Sequence, residues 1–227
     1  MTQTECKVLF EDTHLIVLDK PAGLLSQGAS PGDPNVVDWL RTRFGRPYVG
    51  LVHRLDRNTS GIMIVAKRTK SARRLSEALQ RGKLTRTYIA WLVGEVLEPQ
   101  TWTHFLLKDN EKNLVSVLNP NDPRLSKSQK AQLSVAPVSK PCALADGTIA
   151  TLVRFILETG RSHQIRVQSA SQGHPILGDP KYGKNIGSKI INRPALHSET
   201  LRFPHPISGE FLEFKAELPS DFKSVNS

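Results

Sequence analysis

Short apolar runs rich in Val and Ile, each closed by Gly, Pro or Asn, recur from one end of this chain to the other. No other feature limits the fold as strongly, because such runs read as many short strands and therefore as a sheet-centred architecture. The predicted strands are Lys7–Phe10, Leu15–Asp19, Ile62–Ala66, Thr87–Val93, Val115–Leu118, Gln132–Ala136, Thr148–Glu158 and Glu210–Leu218. Three helices are predicted between them. Asn35–Phe44 gathers Val36, Val37, Leu40 and Phe44 on one side and stops at Gly45, and Thr69–Arg81 has a Thr cap, a Leu75/Ala78/Leu79 stripe and a stop at Gly82. Ser162–Gln172 is capped by Ser162 and stopped by Gly173. Strands and helices do not alternate, which favours an α+β fold with a mixed, largely antiparallel sheet over a doubly wound parallel one.

A chain of 227 residues suits a two-lobed single domain as well as two small ones. Asp109–Lys130, rich in Asn and Pro, reads as a hairpin with a loose tip or as a lobe boundary, and residues 220–227 read as a frayed tail after a domain of residues 1–219. The 31 Lys and Arg against 21 Asp and Glu give a net charge of +10, which suits a polyanionic partner. Cys6 and Cys142 lack metal-ligand spacing and a framework of several pairs, as expected of reduced thiols. The N-terminal stretch has no basic head followed by an apolar run, and no run reaches the roughly 20 residues that span a bilayer. A cytoplasmic location without membrane association is the expectation.

The densest polar cluster is Leu51-Val52-His53-Arg54-Leu55-Asp56-Arg57-Asn58-Thr59-Ser60-Gly61, leading into the apolar run Ile62–Ala66. A loop held by a rigid strand suits catalysis, but on spacing alone Asp56 between Arg54 and Arg57 reads first as a solvated ion pair. A protein-kinase loop is excluded, since Leu55 precedes Asp56, Asn58 follows too closely and no Gly-rich phosphate loop is present. The seven His residues form no pair at helical ligand spacing beside a carboxylate, which leaves a zinc enzyme without support. A second cluster runs Thr159-Gly160-Arg161-Ser162-His163-Gln164-Ile165-Arg166-Val167 and continues through Gly173–Gly183. Arg161 and Arg166 near a helix start oppose the helix dipole, so an anionic partner or apolar coverage by their long stems would account for them.

Taken in order, these segments resemble the RluA family of pseudouridine synthases. His53-Arg54-Leu55-Asp56 with Thr59-Ser60-Gly61 is similar to that family's catalytic signature, and Asp19-Lys20-Pro21-Ala22-Gly23 to its early Lys-Pro-x-Gly segment. Arg86-Thr87-Tyr88-Ile89-Ala90 resembles the strand whose Tyr lies against the target base. Thr159–Val167 resembles the motif whose last Arg pairs with the catalytic Asp, and Leu196-His197-Ser198 with Phe203–Gly209 the closing pattern. Gln168 departs from the His often found there, which puts any RNA contact of that position in doubt. Lys20 comes too early for a preceding S4 domain, so the catalytic domain is expected to find its RNA unaided.

The resemblance implies a central sheet in two abutting halves with flanking helices and an active-site cleft between them. It implies an isomerase that flips a uridine out of structured ribosomal or transfer RNA and rejoins its base through C5, as a monomer. No redox step or group transfer occurs, so no cofactor and no metal are expected. Asp56, Tyr88 and Arg166 are its expected catalytic residues. Asp56 would act as nucleophile or base, Arg166 would hold it ionised, and Tyr88 would stack on the flipped base. Substrate contacts are expected of His53, Arg54, Thr59, Ser60, Lys20, Arg161 and Ile165. An inactive RNA-binding or chaperone module of the same fold is the alternative, and intact Asp56, Tyr88 and Arg166 count against it. A glycosidase would want a second carboxylate, which the motifs do not supply.

Overall fold

The computed structural model describes residues 5–226 apart from Ala29 and Pro31. The chain divides into two units, one running to Arg86 and including His197–Leu218, the other Thr87–Leu196 with the residues after Leu218. Two of the three boundaries fall inside strands and the third follows Leu218, none of them in the Asp109–Lys130 stretch.

The first unit carries β1 (Lys7–Glu11), β2 (Leu15–Lys20), α1 (Val36–Phe44), β3 (Gly50–Leu51), β4 (Ser60–Ala66) and α2 (Thr69–Gln80). In its sheet β2 lies antiparallel to β1 on one side and to β4 on the other, and β3 also pairs with β4. Every residue of β4 is buried, as a strand covered on both faces requires. Later in the chain β11 (Leu196–Pro204) joins β4 in parallel through His197 opposite Ser60 and Ser198 opposite Gly61, and β12 (Phe211–Lys215) pairs antiparallel with β11. Leu75 and Ala78 of α2 pack with Leu15, Val17, Ile62, Ile64, Leu201 and Phe203 into one core. Asn35 caps α1 by accepting from the Asp38 N–H, and Gly45 ends it in the left-handed region. α2 begins differently from the expectation. Thr69 is its first helical residue, and Arg68 stands at the cap without a side-chain bond.

The second unit carries β5 (Thr85–Val93), β6 (Gln100–Asp109), β7 (Leu114–Leu118), β8 (Gln129–Pro137), β9 (Cys142–Ala143), β10 (Ile149–Leu157) and α3 (Gln164–Ser171). Its strands pair antiparallel in the order β5-β10-β8-β6-β7, with β9 on β10. β6 and β7 form a tight hairpin, and the rest of the Asn- and Pro-rich stretch crosses to β8 through a 3₁₀ turn at Leu125–Lys127. α3 is shorter than expected, because His163 takes the left-handed conformation and delays the helix to Gln164. The cap expected of Ser162 is absent; the Gln164 side chain instead accepts from the Arg161 N–H.

The described residues after Leu218 are not a frayed tail. They form α4 (Ser220–Lys223) and a 3₁₀ turn at Ser224–Asn226, which bury Phe222 and Val225, while Asp221 accepts two hydrogen bonds from Arg193 at 2.6 and 2.8 Å. Both described cysteines are free thiols, and burial pushes Cys6 up to about 12.

At Gly61, where β4 meets β11, the backbone has a φ of +108° and an added Cβ would collide with the Ser198 backbone. Gly61→Ala is therefore expected to destabilise the fold by roughly 3 kcal/mol or more, through strain and overpacking together. A urea melt within 1 kcal/mol, on the order of ordinary surface substitutions, would show that the strands can separate at this point without penalty.

Candidate active site

Asp56 sits half-buried in the segment between β3 and β4. The segment is irregular, yet it is fixed on both sides of the Asp. On the N-terminal side, the Ser26 hydroxyl donates to the Leu55 carbonyl at 2.7 Å and accepts from the Leu55 N–H at 3.0 Å. On the C-terminal side, the Arg57 carbonyl accepts from the Gly23 N–H at 2.9 Å and from Lys20 Nζ at 3.1 Å. The Thr59 N–H closes a turn onto the Asp56 carbonyl. Beyond the turn, Ser60 Oγ lies 2.9 Å from His197 Nδ1, joining the start of β4 to β11 through side chains as well as backbone.

These contacts revise several expectations. Lys20 is fully buried, and Nζ donates to the carbonyls of Pro21, Leu24 and Arg57 at 2.9, 2.7 and 3.1 Å. A buried ammonium must be satisfied by acceptors, and this one has three, so Lys20 serves as an anchor for the Asp56 loop and not as a substrate contact. His53 is likewise internal, its Nε2 accepting from the Ile64 N–H. Burial, assisted by nearby Arg86, pushes this ring down to about 3 and keeps it neutral. Ser60 and Thr59 are both buried, Ser60 bonded to His197. Arg54 is exposed beside the loop.

In the second unit, Tyr88 on β5 is buried opposite Phe155 of β10. Ile165 and Arg166 occupy the first turn of α3 and are buried, whereas Arg161 is exposed with Nε on the Lys130 carbonyl. The fork of Arg166 is engaged by a residue that sequence alone places only among packed turns. Nε and Nη2 reach the two carboxylate oxygens of Asp179, both at 2.7 Å. Asp179 is fully buried and also accepts from the N–H groups of Lys181 and Tyr182. The Arg166 guanidinium lies 5.2 Å from the Tyr182 ring centre, and the Tyr182 hydroxyl bonds His163 Nδ1 and the Val115 N–H. Asp179 supplies an anionic partner for an Arg at a helix start. The available signal was the charge mismatch itself; what could not be read was which of many carboxylates would resolve it. Gln168 is fully buried and donates to the Trp102 carbonyl and to His104, so it faces inward and not toward RNA.

Among the described residues no group of three or more His, Cys, Asp or Glu is arranged to hold a metal ion. The candidate chemistry of these residues is that of a fixed carboxylate and a positioned guanidinium.

Asp179→Ala removes the bidentate partner of a buried Arg and should cost about 3–5 kcal/mol, by the usual penalty for breaking a buried pair; a thermal melt unchanged from wild type would deny the pair its role. For His53, the unfolded chain takes up a proton near pH 6.5, while the folded ring stays neutral down to about 3. The unfolded state thus binds more protons between these limits, and stability falls as pH falls, by up to about 1.4 kcal/mol per unit. His53→Gln retains an acceptor and should remove that component. Urea melts at several pH values from about 6.5 down to about 4 test this, and parallel stability curves for the two proteins would contradict it.

Residues 14–171 match the RNA pseudouridylate synthase family. Ribosomal large subunit pseudouridine synthase C of Haemophilus influenzae is 35% identical over 97% of this chain and 68% of its own length. The corresponding enzyme of Buchnera aphidicola is 34% identical over 96% of this chain and 69% of its own, and synthase D of Nitrosomonas europaea is 34% identical over 96% and 64%. The chain spans about two thirds of these relatives. Among solved structures, human RNA pseudouridylate synthase domain containing 1 superposes with a TM-score of 0.76 at 23% identity, covering 94% of this chain and 84% of its own, which supports the fold. With a family match across most of its length and relatives above 30% identity, this chain belongs to the RNA pseudouridylate synthase family.

Proposed function

We propose that the chain isomerises a uridine of ribosomal RNA to pseudouridine, with Asp56 as its catalytic carboxylate. The observation that carries the assignment to Asp56 is its mounting. Both neighbours, Leu55 and Arg57, are tied to the Ser26 and Lys20–Leu24 segment, while the Asp itself stays partly accessible. A reactive group needs that combination of fixed position and access. Relatives named for the large ribosomal subunit support ribosomal RNA over transfer RNA as substrate.

The target atoms are inaccessible in a stacked helix, so the nucleotide swings out at a cost of a few kcal/mol, by the general estimate for base flipping. Tyr88 presents its ring to the flipped uracil. Asp56 acts on the sugar or base while the N1–C1′ bond breaks, and the uracil rejoins through C5, which loses its proton to water while N1 takes one up. Arg166 supplies a guanidinium for negative charge that develops during the reaction. Its fork is held in plane by Asp179, so its orientation is set before substrate arrives. Arg54 and Arg161, both exposed, serve the RNA backbone near the flipped base. Lys20, His53, Ser60 and Thr59 act through the loop they hold. The enzyme works as a single copy in the cytoplasm.

The test is Asp56→Asn, which keeps the side-chain shape and removes its charge and nucleophilicity. Wild type should release tritium from RNA labelled at uracil C5, and the variant should lose at least about 10³-fold in rate, in keeping with loss of a nucleophile or base, while RNA affinity in filter binding changes little. Equal release by the two would remove Asp56 from the chemistry, and no release by wild type from any cellular RNA would favour an inactive binding module.

A further inference from the structure

At the end of β4 opposite the Asp56 loop, the first unit carries a groove of about 630 Å³ lined by Glu11, Asp12, Thr13, Phe44, Arg46, Lys67 and Arg68. Its cations outnumber its carboxylates, and both carboxylates are already engaged. Glu11 bonds Lys67 at 2.8 Å and Arg43 at 2.9 Å, and Asp12 takes His205 at 2.8 Å together with the N–H groups of His14 and Leu15. Arg46, Arg68 and Lys70 make no ion pair among the described residues, and Arg68 and Lys70 are exposed. Arg46 spans the groove wall, Nη2 donating to the Lys67 carbonyl while the buried Nε has no hydrogen-bond partner. Arg46 and Lys67 both lie over the Phe44 ring, at 5.4 and 5.2 Å, an aromatic floor that holds the two charges together. α2 opens beside them with no capping side chain and no acidic residue in its first turn.

We propose that this groove is a second RNA contact, gripping the phosphate backbone several nucleotides away from the flipped uridine. The seven residues of β4 separate it from the catalytic loop, a span of roughly 20 Å at the rise of an extended strand. Phosphate is the fitting ligand because the surplus is of Arg and Lys with free donors, the groove is shallow and polar, and no set of base-reading amides lines it. The proposal rests on the reading of this chain as an RNA-acting enzyme. It accounts for a basic cluster that the catalytic residues do not use, and it gives the chain a hold on RNA beyond its active site.

The test compares three proteins with wild type. Arg46→Gln/Arg68→Gln/Lys70→Gln removes the two unpaired cations that line the groove and Lys70 beside them at the start of α2, Arg68→Gln/Lys70→Gln removes only exposed groups and guards against misfolding, and Lys108→Gln/Lys112→Gln/Lys140→Gln lowers net charge equally from exposed positions of the second unit. The probe is a large-subunit ribosomal RNA transcript carrying C5-tritiated uridine. The triple groove variant should bind about tenfold or more weakly at moderate salt, and the slope of log K against log salt should fall by about 2–3, near 0.9 per lost phosphate contact. The double variant should show about two thirds of that drop and the second-unit control little. Tritium release in a single turnover at saturating RNA should stay within about twofold of wild type, since no such contact acts on the reacting atoms. Unchanged affinity and slope in both groove variants, or an equal loss in the control, would overturn the proposal. So would unchanged RNA affinity with lost binding to phosphatidylserine vesicles, which would assign the groove to a membrane surface. A wild type that releases no tritium yet loses affinity when the groove is emptied would refute the catalytic reading and leave the groove standing.

Discussion

The Asp56 loop depends on one buried ammonium. Lys20 ends β2 inside the first unit, and its three hydrogens go to three carbonyls, two in its own segment and one on Arg57 beside Asp56. A charge in that position is tolerated only because every donor is met, and the same requirement holds the acceptors in place. Irregular backbone is thereby given the fixity of a strand without strand pairing. The Lys-Pro-Ala-Gly segment and the Asp56 segment are two halves of one device, with the Gly23 N–H adding a second bond to the same Arg57 carbonyl.

A comparable constraint governs a buried cation of the second unit. Arg166 is buried, and Asp179 fixes it through two bonds of 2.7 Å, backed by the N–H groups of Lys181 and Tyr182 and by the Tyr182 ring. Burying both charges costs desolvation that a bidentate geometry offsets. What it secures is orientation. A guanidinium held in plane by two bonds to one carboxylate has a single fixed direction. His163, held in the left-handed conformation and bonded to Tyr182, belongs to the same assembly.

Much of this was legible in the chain. Eight of the strands were marked by Val and Ile runs closed by turn residues, and α1 by an Asn cap and a Gly stop. β6 and β11 were not, because Gln100–Asp109 alternates polar and apolar residues weakly and Leu196–Pro204 mixes His, Ser, Glu and Arg with its apolar residues. The polar residues of β11 are buried by tertiary neighbours, His197 on Ser60 and Ser198 on the Ile62 carbonyl, a stabilisation that local pattern does not record. The tail failed for a similar reason. Phe222 and the Asp221–Arg193 pair fix four residues whose composition alone resembles a loose end.

The family motifs, the aspartate within them and the basic balance were determined by the sequence itself, since they are properties of residue type and order. Which polar residues face a substrate and which hold the scaffold was decided only by tertiary structure. Lys20, His53, Ser60 and Gln168 carry chemistry on paper, yet each is buried and spent on internal partners. Side-chain type sets what a group can do. Burial and partners, which join residues as distant as Ser60 and His197, set what is left for it to do.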